Sequence, residues 1–162
     1  MEKCCIFTGH RNIPAAKTAA LEKLLDHAVE SVWRVGHTRF VSGGAMGFDL
    51  MAAEAVLRFR IAHPEVKLIL QLPFPGYDAR FSDTDHRRLR DIIHKADECR
   101  WTAEFYYDDC YLARDRAMVD VADYCLCYLT NRRSGTGYTV RRCLEKGVRT
   151  TNLADLLKEV QA

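Results

Sequence analysis

Short apolar runs alternate with longer stretches of helical periodicity from one end of the chain to the other. The runs at 3–8, 39–42, 66–72, 98–101, 124–130 and 149–152 read as β-strands. Two of them, VKLILQL and YCLCYL, are apolar on both faces, as strands are when helices cover both sides of a sheet. Leu21, Leu24, Leu25, Ala28, Val29, Val32 and Trp33 recur at the spacing of one helix face, with Pro14 suited to a first turn and Gly36 to a stop. Further helices are expected at 46–62, 82–95, 110–121, 137–146 and 153–160. This alternation predicts an α/β domain, a three-layer sandwich on a mainly parallel sheet. Ligands of such sheets sit beyond the carboxyl ends of the strands. The segments that follow the strands therefore matter most.

Length and composition narrow the picture. The 162 residues suit one domain spanning 1–162, with room for a sizeable core. A net charge of +2 argues against bulk nucleic-acid binding, which favours strongly basic domains. The apolar run in MEKCCIFTGH is too short for a signal peptide, and no segment reaches the roughly 18 apolar residues of a membrane span. A soluble, cytoplasmic protein is the expectation, with no membrane partner. The seven cysteines are odd in number and lack paired C-x-x-C spacing, so neither a disulfide framework nor structural zinc is expected. Cys4, Cys5, Cys125 and Cys127 fall inside strands and read as small buried hydrophobes.

Four segments could carry chemistry. After the first strand, Gly9 permits an abrupt turn, and His10 and Arg11 offer donors at its carboxyl end. After the second comes SGGAMGFD, in which Ser42, Gly43, Gly44 and Gly47 precede a helix whose first turn holds Asp49. Flexible backbone and a helix N-terminus together make an anion site without a lysine. The pattern is neither a P-loop nor G-x-G-x-x-G. Asp49 either complements the helix dipole or accepts hydrogen bonds from sugar hydroxyls or an amine, or orients His10 or Arg11. After the fifth strand, NRRSGTGYT sets Ser134, Gly135, Thr136 and Thr139 around a second helix start, a phosphate-type cradle or a capped turn. In the fourth segment, DCYLARDRAMVD, Arg114 and Asp115 are the cleft-facing candidates, while Leu112, Met118 and Val119 suit the interior. The acids and histidine of DTDH at 83–86 fit a helix's first turn, and no second ligand cluster accompanies them; no metal or cofactor is expected.

In order, T-G-H-R, S-G-G-x-x-G-x-D, L-P-F-P-G, C-Y-x-x-R-D-x-x-M-V-D and S-G-T-G-Y-T resemble the YpsA-like branch of the SLOG superfamily, which groups the DprA/Smf DNA-processing proteins with the LOG phosphoribohydrolases. The resemblance covers nearly the whole chain. It implies a Rossmann-like fold that binds a nucleotide or nucleotide-derived ligand, with Gly43, Gly44, Gly47 and Asp49 in a first ligand loop and Ser134, Gly135, Thr136 and Thr139 in a second. Gly9, His10, Arg11 and Arg114 would line the same cleft. Two departures matter. LOG enzymes carry P-G-G-x-G-T-x-E-E, whereas matching Gly135-Thr136 puts Tyr138 and Thr139 at the acidic positions. The family often has asparagine after the matched arginine, where this chain has Asp115. The expected activity is ligand binding or sensing; an N-glycosidic hydrolase using Asp49 or Asp115, or a protein-interaction adaptor with a degenerate cleft, are the alternatives. A protein partner fits the adaptor reading, and apolar helix faces would suit a homodimer.

Overall fold

The computed structural model describes residues 2–161, with side-chain environments through Lys158. Six strands, β1 (Lys3–Gly9), β2 (His37–Ser42), β3 (Lys67–Leu72), β4 (Glu98–Trp101), β5 (Tyr124–Tyr128) and β6 (Arg149–Asn152), form one sheet in the order β4-β3-β2-β1-β5-β6. Every pairing is parallel. The helices α1 (Thr18–Arg34), α2 (Phe48–Ala62), α3 (Asp83–Lys95), α4 (Cys110–Val121), α5 (Gly135–Glu145) and α6 (Leu153–Gln161) alternate with the strands. The fold is a Rossmann-like α/β architecture.

The period-two alternation of β1 builds both layers. Cys5 and Phe7 point to one face, where Phe40 of β2 and Leu68 and Leu70 of β3 join them under α1, α2, α3 and α6. Cys4 and Ile6 point to the other, where Val41 and Ile69 meet Met118 of α4 and Val140 of α5. Phe7 and Phe40 are both fully buried, their ring centroids 6.0 Å apart. Burying a side chain of that size stabilises by about 1.5–3 kcal/mol. Cys4, Cys5, Cys125 and Cys127 are buried free thiols in these two layers.

Element ends differ from the sequence reading where loops acquire partners. Strand β5 stops at Tyr128 rather than at 130, because the N–H groups of Thr130 and Asn131 turn to His10 Nε2 at 2.8 and 3.2 Å. Helix α5 starts two residues before 137: Ser134 caps it, its Oγ accepting from the Gly137 N–H at 3.1 Å. Helix α2 starts at Phe48, after Gly47 at φ +74°. Pro14 precedes a single 3-10 turn, Ala15–Lys17, before α1 proper. Chain order reverses at β1, which has β2 on one side and β5 on the other. Parallel sheets hold ligands beyond such a switch point.

Candidate functional site

A cleft of about 490 Å³ opens beyond the carboxyl ends of β1 and β5. Gly9, His10 and Arg11 reach it from β1, Asp49 from α2, Arg114 and Asp115 from α4, and Ser134, Gly135 and Thr136 from α5. Four segments distant in sequence thus converge. Ser42, Gly43, Gly44, Gly47 and Thr139 do not line it.

The two glycine loops turn out to do different work. In the first, the Gly44 N–H donates to Ser42 Oγ at 3.3 Å, and the Ala45 N–H to Asp49 Oδ2 at 3.2 Å. The Phe48 N–H donates to the His10 carbonyl at 3.2 Å. Ser42 Oγ in turn donates to the Asp49 carbonyl at 2.9 Å, and the Tyr77 hydroxyl to the Gly44 carbonyl at 2.7 Å. The Gly44 and Ala45 N–H groups are thus spent inside the loop, and that of Phe48 on the β1 turn. The loop's glycines are there for proximity: a Cβ at Gly47 would lie 2.2 Å from the Arg11 carbonyl oxygen, and one at Gly43 2.9 Å from both Arg114 Nη1 and Asp49 Oδ2.

The second loop leaves donors open. Ser134 Oγ accepts from Gly137 and donates to the Asn131 carbonyl at 2.6 Å, so its hydroxyl shapes the turn. Thr139 is buried and donates back to the Gly135 carbonyl at 3.1 Å, inside α5. The N–H groups of Gly135 and Thr136, in the first turn of the helix, have no acceptor among the described residues. Nothing lies within 4 Å of where a Gly135 Cβ would be. Free N–H groups at a helix N-terminus facing a cleft favour an anion.

Asp49 and Arg114 form the cleft's charged floor. Arg114 is buried, donating from Nε to Asp115 Oδ1 at 2.7 Å and from Nη1 to the Gly43 carbonyl at 2.5 Å. Burial opposes its charge, but the carboxylates of Asp115 and Asp49 more than offset this and hold its pKa above the ordinary value. Asp49 is 5% exposed, and its Oδ1 has no hydrogen-bond partner among the described residues. Burial pushes its carboxyl up to about 7; Arg114 and the Ala45 N–H pull the other way without cancelling it. Asp49 therefore faces Arg114 and the loop rather than orienting His10. The His10 ring, accepting two backbone N–H groups at Nε2, is neutral with its proton on Nδ1, and burial lowers its pKa. It ties the β1 turn to the β5 turn.

Tyr111, Asn131 and Thr130 also line the cleft. Tyr111 lies under two guanidinium groups, Arg11 at 5.6 Å and Arg114 at 6.0 Å from its ring centroid. It sits three residues before Arg114, one helical turn away, and that spacing was the available signal. Tyr77 had a weaker one, its place in the long irregular stretch after β3. The 83–86 acids are used locally: Asp85 pairs with Arg88 at 2.9 Å and His86 meets Asp78 at 3.0 Å. No cluster of three metal-ligating side chains occurs among the described residues, nor any helix long and apolar enough to cross a membrane.

Fold and cleft together define a Rossmann-like protein with its candidate site at the sheet's switch point. The chain belongs to the YspA SLOG family, whose model matches residues 5–157. It is similar to a UPF0398 protein of Staphylococcus saprophyticus, 29% identical over 104 residues that cover 60% of this chain and 55% of that protein. A UPF0398 protein of Staphylococcus epidermidis is 23% identical over 161 residues, covering 94% and 86%. Among solved structures, DNA processing protein A of Helicobacter pylori superposes with a TM-score of 0.64 at 19% identity, over 99% of this chain and 74% of that one. The Streptococcus pneumoniae protein of the same name gives 0.64 at 19%, over 92% and 49%. At that identity the likeness concerns the fold.

Proposed function

We propose that this protein binds a nucleotide-derived ligand in the cleft between β1 and β5, its phosphate against the N-terminus of α5 and its sugar or base over the Asp49–Arg114 floor. One observation carries the reading: a single cleft unites unpaired helix N–H groups at Gly135 and Thr136 with a buried carboxylate, chemically opposite elements that suit a ligand having both phosphate and hydroxyl or amine groups. Tyr111 adds a ring face for a base.

The test is Gly135→Asp. Its side chain enters open space, and an acid in a first helical turn favours the helix, so the melting temperature should hold or rise. The added carboxylate would repel a phosphate. Titration calorimetry with adenosine monophosphate and ADP-ribose should show binding to the native chain and at least about ten-fold weaker binding to the variant, about 1.4 kcal/mol. Absence of binding to the native chain, or unchanged binding to the variant, refutes the reading.

A second reading, hydrolysis of an N-glycosidic bond, is favoured by the Asp49 carboxyl titrating at about 7, where a general acid is effective near neutral pH. Base release from adenosine monophosphate that disappears in Asp49→Asn would support it. No release from the native chain would leave binding alone.

A further inference from the structure

Beside the cleft lies a second compartment of about 450 Å³, and the two share a wall in which Arg11, Ala45, Tyr111 and Arg114 line both. Its chemistry is different. Phe74, Tyr77, Phe81 and Tyr106 supply aromatic surface. The rings brace one another: Phe74 meets Tyr106 and Tyr111 edge-on, with centroids 5.6 and 5.9 Å apart, and Tyr77 meets Phe81 at 5.7 Å. The core does not account for all of these residues. Tyr106 is 59% exposed, and the adjoining Phe105 and Tyr107 are exposed as well. Two cations, Arg11 and Arg80, line the compartment without a carboxylate partner among the described residues.

We propose that this compartment holds a planar heteroaromatic ring belonging to a two-headed ligand, whose diphosphate linker runs from the N-terminus of α5 to Arg11 and whose other nucleoside end occupies the first cleft. The inference rests on the ligand reading above and specifies its class. Either cavity alone falls in the size range of a pocket for a complete small ligand, roughly 300–1,000 Å³, so a mononucleotide in one leaves the other unused. Arg11 stands on the partition, its guanidinium 5.6 Å from the Tyr111 centroid and in no ion pair among the described residues, which places a planar, permanently charged fork where a diphosphate would pass. The aromatic walls beyond it suit any base, because stacking uses the ring face rather than the hydrogen-bonding edge. Arg80 adds charge on that side.

Titration calorimetry of the full chain with adenosine monophosphate, ADP-ribose and diadenosine diphosphate tests this. The last two share a diphosphate and a second ribose, and only diadenosine diphosphate carries a second heteroaromatic base. It should bind at least about ten-fold more tightly than ADP-ribose, the gain expected from stacking one base. Tyr106→Ala, at an exposed loop position, should erase most of that advantage and weaken diadenosine diphosphate far more than adenosine monophosphate. Phe74→Ala should act in the same direction. Equal affinity for ADP-ribose and diadenosine diphosphate, or an equal loss for all three compounds in Tyr106→Ala, overturns the second compartment while leaving the first cleft standing. Failure of the underlying reading has another signature: none of the three binds, or all bind equally well to Gly135→Asp.

Discussion

Replacing Asp49 by asparagine should make the protein more stable at pH 8, by a margin that vanishes at pH 4. The carboxyl ordinarily titrates near 3.8 but is pushed up to about 7 in the fold, chiefly by burial. A rise of about three pH units corresponds to about 4 kcal/mol. The sign follows from proton binding: the native state holds the proton more tightly than the unfolded chain. Stability is therefore greatest below the unfolded value, falls as the pH rises through the interval from 3.8 to about 7, and levels off at its deficit above that. Arg114 offsets the deficit only in part, since its Nε is already paired with Asp115. Asparagine keeps an acceptor for the Ala45 N–H and removes the buried charge, but places an amide N–H₂ where Oδ1 has no partner. An unmade hydrogen bond of that kind costs about 1–3 kcal/mol. The protonated carboxyl of native Asp49 leaves an O–H unpartnered at the same place, so that cost is largely common to both chains: the variant gains up to about 4 kcal/mol at pH 8 and about nothing below pH 4. Urea unfolding of both chains between pH 4 and pH 8.5 measures the difference directly, and other titrating groups shared by the two cancel to first order. A difference that stays constant with pH, or a native chain more stable than the variant at pH 8, refutes the reasoning. Such a result would mean that Asp49 is fully compensated in its charged form. A destabilising group kept at a cleft floor is the pattern expected where function competes with stability.

The other predictions concern the loops. Gly137→Ala puts a Cβ 2.1 Å from the Arg132 carbonyl oxygen and should cost at least about 2 kcal/mol, whereas Gly135→Ala meets open space and should be neutral or stabilising by up to about 1 kcal/mol; paired thermal melts distinguish them. Protonated His10 cannot accept the Thr130 and Asn131 N–H groups, and its lowered pKa means that its contribution is complete above 6.5 and lost as the pH falls below it. Amide exchange at those two residues, corrected for intrinsic rates, should accelerate under acid, and His10→Ala should remove that acceleration.

Much of the fold was legible in the sequence because its signals are local. Strands with apolar faces on both sides announced a sheet buried between helix layers, and the periodic stripe from Leu21 to Val32 marked α1. All six strands and six helices were expected, with most ends misplaced by one or two residues where capping and loop pairing decide, and the start of α1 by about four, where the 3-10 turn Ala15–Lys17 intervenes after Pro14. Most of the cleft was legible too, since an open sheet gathers the segments that follow its strands at one edge.

What composition and spacing could not decide is which donors remain free. SGGAMGFD and NRRSGTGYT look alike as strings, yet Ser42 and Asp49 occupy the Gly44 and Ala45 N–H groups of the first, while those of Gly135 and Thr136 in the second stay open to the cleft. Asp49 reads from sequence as a first-turn acid; only the packing of α4 over the loop buries it and lifts its pKa. The aromatic compartment was likewise invisible, because Phe74 comes from the β3–α3 connection, Tyr106 from the β4–α4 connection and Tyr111 from α4 itself. Local pattern determines where the chain turns and which faces are apolar. Hydrogen-bond partners and solvation depend on distances between segments far apart in sequence, and those exist only once the sheet has ordered them.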